Sequence, residues 1–150
     1  MNIKIVSKSG RIPEYATSGS AGFDLPAYLP DGGFLLKAGE RALIPTGFFV
    51  ELPPGYEAQV RARSGLSIKH GIGLVNGVGT VDSDYRGEWN VPLINWSKED
   101  YLIEDGERVA QVVISRCEQV GFDVVSDISE ISETDRGAGG FGHTGKREFK

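Results

Sequence analysis

Five short stretches of this chain bring charged, hydroxyl-bearing and glycine residues close enough together to do chemistry. The densest is Arg136-Gly137-Ala138-Gly139-Gly140-Phe141-Gly142-His143-Thr144-Gly145. Its glycines let many backbone N–H groups approach an anion, while Arg136 supplies charge and a fork of donors. Gly137-x-Gly139-x-x-Gly142 fits a dinucleotide fingerprint, and Gly140-x-x-x-x-Gly145-Lys146 fits a P-loop up to Arg147, where Ser or Thr belongs. Each of those motifs needs a strand before it and a helix after it. Here Ser132-Glu133-Thr134-Asp135 precede and only a few residues follow. The stretch reads as a phosphate-binding tail outside either fold.

The other four are less pointed. Arg61-Ala62-Arg63-Ser64-Gly65-Leu66-Ser67-Ile68-Lys69 ends a strand with two arginines, then offers a hydroxyl and the N–H groups of a possible helix start. That suits phosphate, although a capped turn with solvated arginines explains the segment as well. Gly79-Thr80-Val81-Asp82-Ser83-Asp84-Tyr85-Arg86-Gly87-Glu88 holds its carboxylates close to a tyrosine, and acidic turns of this kind are common. Asp105-Gly106-Glu107-Arg108-Val109-Ala110-Gln111 is a turn entering a strand, with Gln111 as a polar residue among valines; a buried glutamine needs partners. Ala21-Gly22-Phe23-Asp24-Leu25 sets a carboxylate beside a glycine and by itself reads as a turn.

Composition narrows what these stretches serve. The chain has 150 residues, 39% hydrophobic and 25% charged, which fits one ordinary globular domain with a real core. A net charge of −5 argues against a general nucleic-acid binder, yet it leaves room for a nucleotide handled by local arginines. Cys117 is the only cysteine, so an intrachain disulfide and a cysteine-rich zinc site are excluded. It follows the apolar run from Val112 and reads as a packed thiol. Met1-Asn2-Ile3-Lys4-Ile5-Val6 is too short and interrupted for a signal sequence, and no apolar run could span a bilayer. A cytoplasmic location is expected.

The elements that must position these residues read as strands. Tyr56 to Arg61 alternates apolar and polar, the period of a half-buried strand. Arg41 to Ile44, Gly47 to Glu51, Val91 to Asn95, Val109 to Ile114 and Val120 to Val125 are short and rich in β-branched or aromatic residues. Gly and Pro break them at close intervals, as at Leu52-Pro53-Pro54-Gly55. That pattern predicts an all-β sandwich or closed barrel. One short helix is expected from Ser64 to His70, with Ser64 as its cap. Ser126 to Asp135 reads as a polar tether leading to the tail. We expect a single domain over residues 1–135, including that tether, and a phosphate-binding lid over 136–150.

Taken in order, these five stretches resemble the five motifs of the trimeric dUTPases. The likeness runs from Ala21 to Gly145, and the third and fifth motifs are highly specific. It implies a distorted jelly-roll β-barrel, the dUTPase-like β-clip, assembled as a homotrimer with a swapped flexible C-terminal tail. Three shared active sites would lie at subunit interfaces. One subunit would give Arg63, Ser64, Gly65 and Gln111 to the phosphates, a second a β-hairpin from about Asn76 to Asn90, and the third its tail. The implied reaction is hydrolysis of dUTP to dUMP and diphosphate, which keeps uracil out of DNA and supplies dUMP for thymidylate synthesis. Mg²⁺ would be held by triphosphate oxygens and water, with no direct protein ligand and Asp24 as an indirect support. Neither nucleic acid nor membrane is an expected partner.

The same resemblance assigns roles. Asp82 matches the base that orients and deprotonates a water attacking the α-phosphorus. Tyr85 matches the ring that packs under deoxyribose and leaves no room for a 2′-hydroxyl. Main-chain groups of Thr80, Val81 and Asn90, with the Asn76 side chain, would read uracil against cytosine by donor and acceptor pattern. Ser64 would contact the oxygen between the α- and β-phosphates. Arg136 would hold the γ-phosphate, Phe141 would stack on uracil, and Gly142, His143 and Thr144 would line the phosphates. A dCTP deaminase of related fold would need a glutamate base and a longer chain. A catalytically dead regulator or a purely structural jelly roll would not explain the retained set.

His143 stands where serine is more usual, and an imidazole still donates to phosphate, more strongly when protonated. His143→Ser is therefore expected to shift KM modestly and leave kcat nearly unchanged, as steady-state kinetics would show; complete loss of activity would refute it.

Overall fold

The structure, a computed structural model, describes residues 1–141. It divides into two units, Met1–Gln119 and Val120–Lys150. In chain order the first unit contains β1 (Lys4–Ser7), β2 (Phe23–Pro26), β3 (Phe34–Leu36), β4 (Arg41–Pro45), β5 (Phe48–Glu51), β6 (Tyr56–Arg61), α1 (Ser64–His70), β7 (Ile72–Leu74), β8 (Val78–Val81), β9 (Asn90–Asn95), β10 (Tyr101–Ile103) and β11 (Arg108–Arg116). The expected all-β, jelly-roll-like barrel is what the chain forms. Pairing is antiparallel throughout, in small sheets ordered β1-β5, β10-β3, β2-β11-β6-β8 and β4-β9-β7.

Alternation drives the packing. In β9 the residues Val91, Leu93 and Asn95 turn inward while Asn90, Pro92 and Ile94 are half-buried. Leu25, Leu36, Ile44, Phe48, Val91, Ile103 and Val112 are fully buried in one core. Burying such side chains stabilises the fold by roughly 1.5–3 kcal/mol each. Asn95 is polar and fully buried, and its amide is satisfied: Nδ2 donates to Leu36 O (3.1 Å) and Glu99 O (2.7 Å), and Oδ1 accepts from Ser97 N (2.9 Å).

Two irregularities serve the site. β11 carries a bulge against β2 between Arg108 and Ala110, so Val109 and Ala110 are buried in succession. The extra residue resets the alternation and places Gln111 opposite Asp24 on one side and Arg61 on the other. α1 follows β6 directly, anchored by buried Leu66, and stops at Gly71, whose φ of 68° gives the left-handed C-cap. Its N-cap is Arg63 with no side-chain capping bond, so Ser64 is the first helical residue and not the cap expected from sequence.

Three other expectations change. Ala21 to Leu25 does not end as a turn: Phe23 and Leu25 face the core as alternate residues of β2. Cys117 is exposed, because β11 ends at Arg116 and the chain leaves the sheet there. Val120 to Val125 forms no strand; Phe122 is 87% exposed, and β propensity without a partner strand in its own unit yields no ladder. Within that second unit a 3₁₀ turn, Ile128–Glu130, is closed by a capping box between Asp127 and Glu130. Hydrogen bonds from Ser129 hold the Asp127 carboxyl below its usual range, and those from Ser126 do the same for Glu130. Among the described residues no helix is long and apolar enough to cross a membrane.

Candidate active site

The expected hairpin from Asn76 to Asn90 does not form as a paired ribbon: β8 is the edge of the β2-β11-β6-β8 sheet, while β9 is the centre of the β4-β9-β7 sheet. The connection between them and the arginine-bearing strands make two distinct surfaces of the first unit. β8 pairs with β6 in the register Ala58↔Val81 to Arg61↔Val78, and the chain then turns through Asp82 to Trp89 into β9. This return leaves a cleft of about 360 Å³ lined by Asn76, Gly79, Thr80, Val81, Asp82, Tyr85 and Asn90, with Leu43, Val60, Glu88, Trp89 and Pro92. Six sequence-predicted site residues, Asn76, Thr80, Val81, Asp82, Tyr85 and Asn90, therefore share one cavity. Its size suits a nucleoside rather than a macromolecule. Asp82 is exposed at this rim, and its carbonyl accepts the Tyr85 N–H at 3.2 Å, so base candidate and ring sit on one tight turn.

Tyr85 has a defined seat. Its hydroxyl donates to the Glu88 carbonyl at 3.1 Å, and the ring lies over Gly87. A Cβ on Gly87 would lie 2.5 Å from Tyr85 Cζ and 2.9 Å from Cε2, so no larger residue leaves the ring where it is. Asn90 is fixed by donating from Nδ2 to the same Glu88 carbonyl at 3.0 Å. Sequence reading missed Glu88 as a site residue, although it stands beside Gly87 in the third motif.

The second surface is electrostatic. Asp24 on β2 accepts from Arg63 Nε at 3.0 Å through Oδ1 and from Arg108 Nη1 at 3.2 Å through Oδ2. Arg63 also donates to the Arg108 carbonyl at 2.9 Å, which fixes its guanidinium across the strand ends. One carboxylate against two guanidinium groups leaves a net positive charge, and Arg63 keeps its side chain 29% exposed. Such a half-buried, pre-oriented arginine is a better anion receiver than a solvated one. Gln111 joins the cluster by donating from Nε2 to Ala62 O at 2.9 Å. Its partner is thus structural, and that bond locks the chain between Arg61 and Arg63. Exposed Ser64 and Gly65 open α1 beside it, where first-turn N–H groups lack helical acceptors. Arg108 is a further member that the fourth motif contained without drawing attention.

Arg63, Ser64, Gly65 and Gln111 do not line the cleft between β8 and β9. In the second unit, Arg136 donates from Nε to Gly139 O at 2.8 Å, and Phe141 is exposed with a positive φ of 45°. Gly142, His143 and Thr144 lie outside the described residues. Among the described residues no three His, Cys, Asp or Glu side chains converge as a protein-built metal cage would require. A separate apolar cavity bounded by Ile3, Ile5, Phe23, Phe48 and Ile114 has no charged side chain in its lining and offers nothing to a triphosphate.

Comparison with known proteins shows the family of the chain. The dUTPase family model matches residues 8–145. The deoxyuridine 5'-triphosphate nucleotidohydrolase of Finegoldia magna is 51% identical over 146 residues, covering 97% of this chain and 99% of that protein. The protein of the same name from Fusobacterium nucleatum is 49% identical, covering 97% and 98%. Among solved structures, the Staphylococcus bacteriophage 80alpha dUTPase with dUPNHPP superposes with a TM-score of 0.81 at 26% identity, over 97% of this chain and 99% of that one. Agreement in sequence and fold over nearly the whole length leaves one conclusion, that this chain belongs to the dUTPase family.

Proposed function

We propose that the chain is a dUTP diphosphatase, hydrolysing dUTP to dUMP and diphosphate by water attack on the α-phosphorus. The observation that carries this reading is the cleft that brings Asp82 and Tyr85 together with the polar edges of Asn76, Thr80, Val81 and Asn90. Uracil would enter the cleft between β8 and β9, where the backbone of Thr80, Val81 and Asn90 and the Asn76 side chain would read its edge and a thymine methyl would clash. Deoxyribose packs on the Tyr85 ring. Asp82, exposed at the rim, accepts the proton of the attacking water. Arg63, Ser64, Gly65 and Gln111 receive the phosphates, Arg136 the γ end, and Phe141 covers the base. Gly142, His143 and Thr144 add donors to the phosphates.

The charge on a triphosphate also calls for a divalent cation. Both oxygens of Asp24 are engaged by Arg63 and Arg108, so Asp24 suits an outer-sphere role through water and not direct ligation. Mg²⁺, held by phosphate oxygens and water, supplies charge neutralisation when bound. The phosphate residues stand outside the base cleft of the same chain, which supports a homotrimer whose subunits share each site. In that assembly residues 1–135 are the barrel with its tether and 136–150 the lid. The enzyme would act in the cytoplasm, keeping uracil out of DNA and supplying dUMP for thymidylate synthesis.

The test is a substrate panel. Purified protein with Mg²⁺ should release diphosphate from dUTP, and neither diphosphate from UTP nor ammonia from dCTP. Ammonia from dCTP, or no product from dUTP, would overturn the reading. Light scattering should return the mass of three chains.

A further inference from the structure

The sugar-discriminating ring is held by a residue whose acceptors are used on two different tasks. The Glu88 carboxylate accepts from Gly47 N–H through Oε1 at 2.9 Å and from Lys8 Nζ through Oε2 at 2.9 Å. Its carbonyl oxygen accepts from both Tyr85 Oη and Asn90 Nδ2. The side chain is 19% exposed while that of Lys8 is 47% exposed, so the carboxylate is largely withdrawn from water and the ion pair sits at the surface edge. Gly47 lies in the turn between β4 and β5 with φ of 71°. The next residue is tied to the same place, since Trp89 N donates to Phe48 O at 2.8 Å and Thr46 Oγ1 donates to Trp89 O at 2.6 Å.

We propose that Glu88 is a positioning residue for nucleotide selection: its carboxylate fastens the connection from β8 to β9 to the β4–β5 turn and Lys8, and its carbonyl thereby sets the Tyr85 ring and the Asn90 amide. This deepens the dUTP reading and rests on it. A ring whose hydroxyl is held on a fixed carbonyl cannot retreat to admit a 2′-hydroxyl. Once the carboxylate is removed, the Glu88 peptide keeps only the Trp89 N–H bond to Phe48 O, so its carbonyl can tilt and the ring follow, the gain falling to UTP and the loss to dUTP. Discrimination is a difference between two substrates, so it responds to ring placement while global stability does not move it.

The experiment compares kcat/KM for dUTP and UTP in wild type, Glu88→Ala, Glu88→Gln and Lys8→Met, with circular dichroism as a control for folding. Glu88→Ala should lower the dUTP-to-UTP ratio about tenfold, mainly through a higher KM for dUTP. Glu88→Gln keeps an acceptor for Gly47 N–H, so it should restore the ratio to within about threefold of wild type. A folded Glu88→Ala protein with the wild-type ratio would overturn the proposal. Should that variant fail to fold, Lys8→Met decides: a fall in the ratio supports the assignment and an unchanged ratio overturns it. Wild type that hydrolyses no dUTP overturns the dUTP reading and this proposal together, whereas an active wild type with an unchanged ratio in the variants overturns this proposal alone.

Discussion

Asp82→Asn is expected to lower kcat for dUTP hydrolysis by about 10³-fold, within the range that general-base catalysis supplies. The carboxamide has nearly the shape of the carboxylate but cannot take a proton from water. Asp82 is exposed on the turn after β8, and its side chain makes no hydrogen bond or ion pair among the described residues. The fold therefore loses no side-chain bond in the exchange, and stability should stay within about 0.5 kcal/mol of wild type, as for most surface substitutions. The Asp82 carbonyl still receives the Tyr85 N–H, so the ring keeps its place and KM should change little. Single-turnover kinetics beside a thermal melt separates these effects. A variant that retained more than about a tenth of wild-type kcat would remove Asp82 from the role of base.

Removing residues 136–150 should have the next largest effect, lowering kcat/KM for dUTP by about 10²- to 10³-fold, as loss of oriented donors to developing charge does elsewhere. Two independent contributions disappear. In the proposed reading Arg136 meets the γ-phosphate, and in the described part of the tail its guanidinium donates to Gly139 O. Among the described residues Phe141 is fully exposed, and stacking on a base is the burial that the proposed reading gives such a ring. The core residues all precede the cut, so circular dichroism and the assembled mass should be those of the full chain. Full activity of the truncated protein would dismiss the lid. The single change Phe141→Ala should reproduce part of the defect, mainly in KM.

Much of the molecule was legible from residue type and spacing, for a physical reason. Strand alternation is a local property with period two, so β6, β9 and β11 could be read from runs such as Tyr56 to Arg61. Where the outcome depended on a partner, the local signal misled. Val120 to Val125 has strand residues but no pairing strand among the described residues of its unit, whereas Phe23 to Leu25, in a stretch that reads as a turn, pairs with β11. Ser64 looked like a cap because hydroxyls often are; the backbone at Arg63 decided otherwise.

The site divides along the same line. Residue identity alone determined the chemistry available to this protein: an acid beside a tyrosine, arginines followed by a hydroxyl, and a glycine tail with an arginine and a ring. Motif order then pointed to the family. Only the tertiary structure decided which of them meet. Asp24, Arg63 and Arg108 are far apart in the chain, and their ion pairs exist because the bulge in β11 sets Gln111 and Asp24 in register. The Glu88 carboxylate is placed the same way, through contacts with Gly47 and Lys8 in other turns of the chain. Such contacts depend on long-range pairing, which no window of sequence contains.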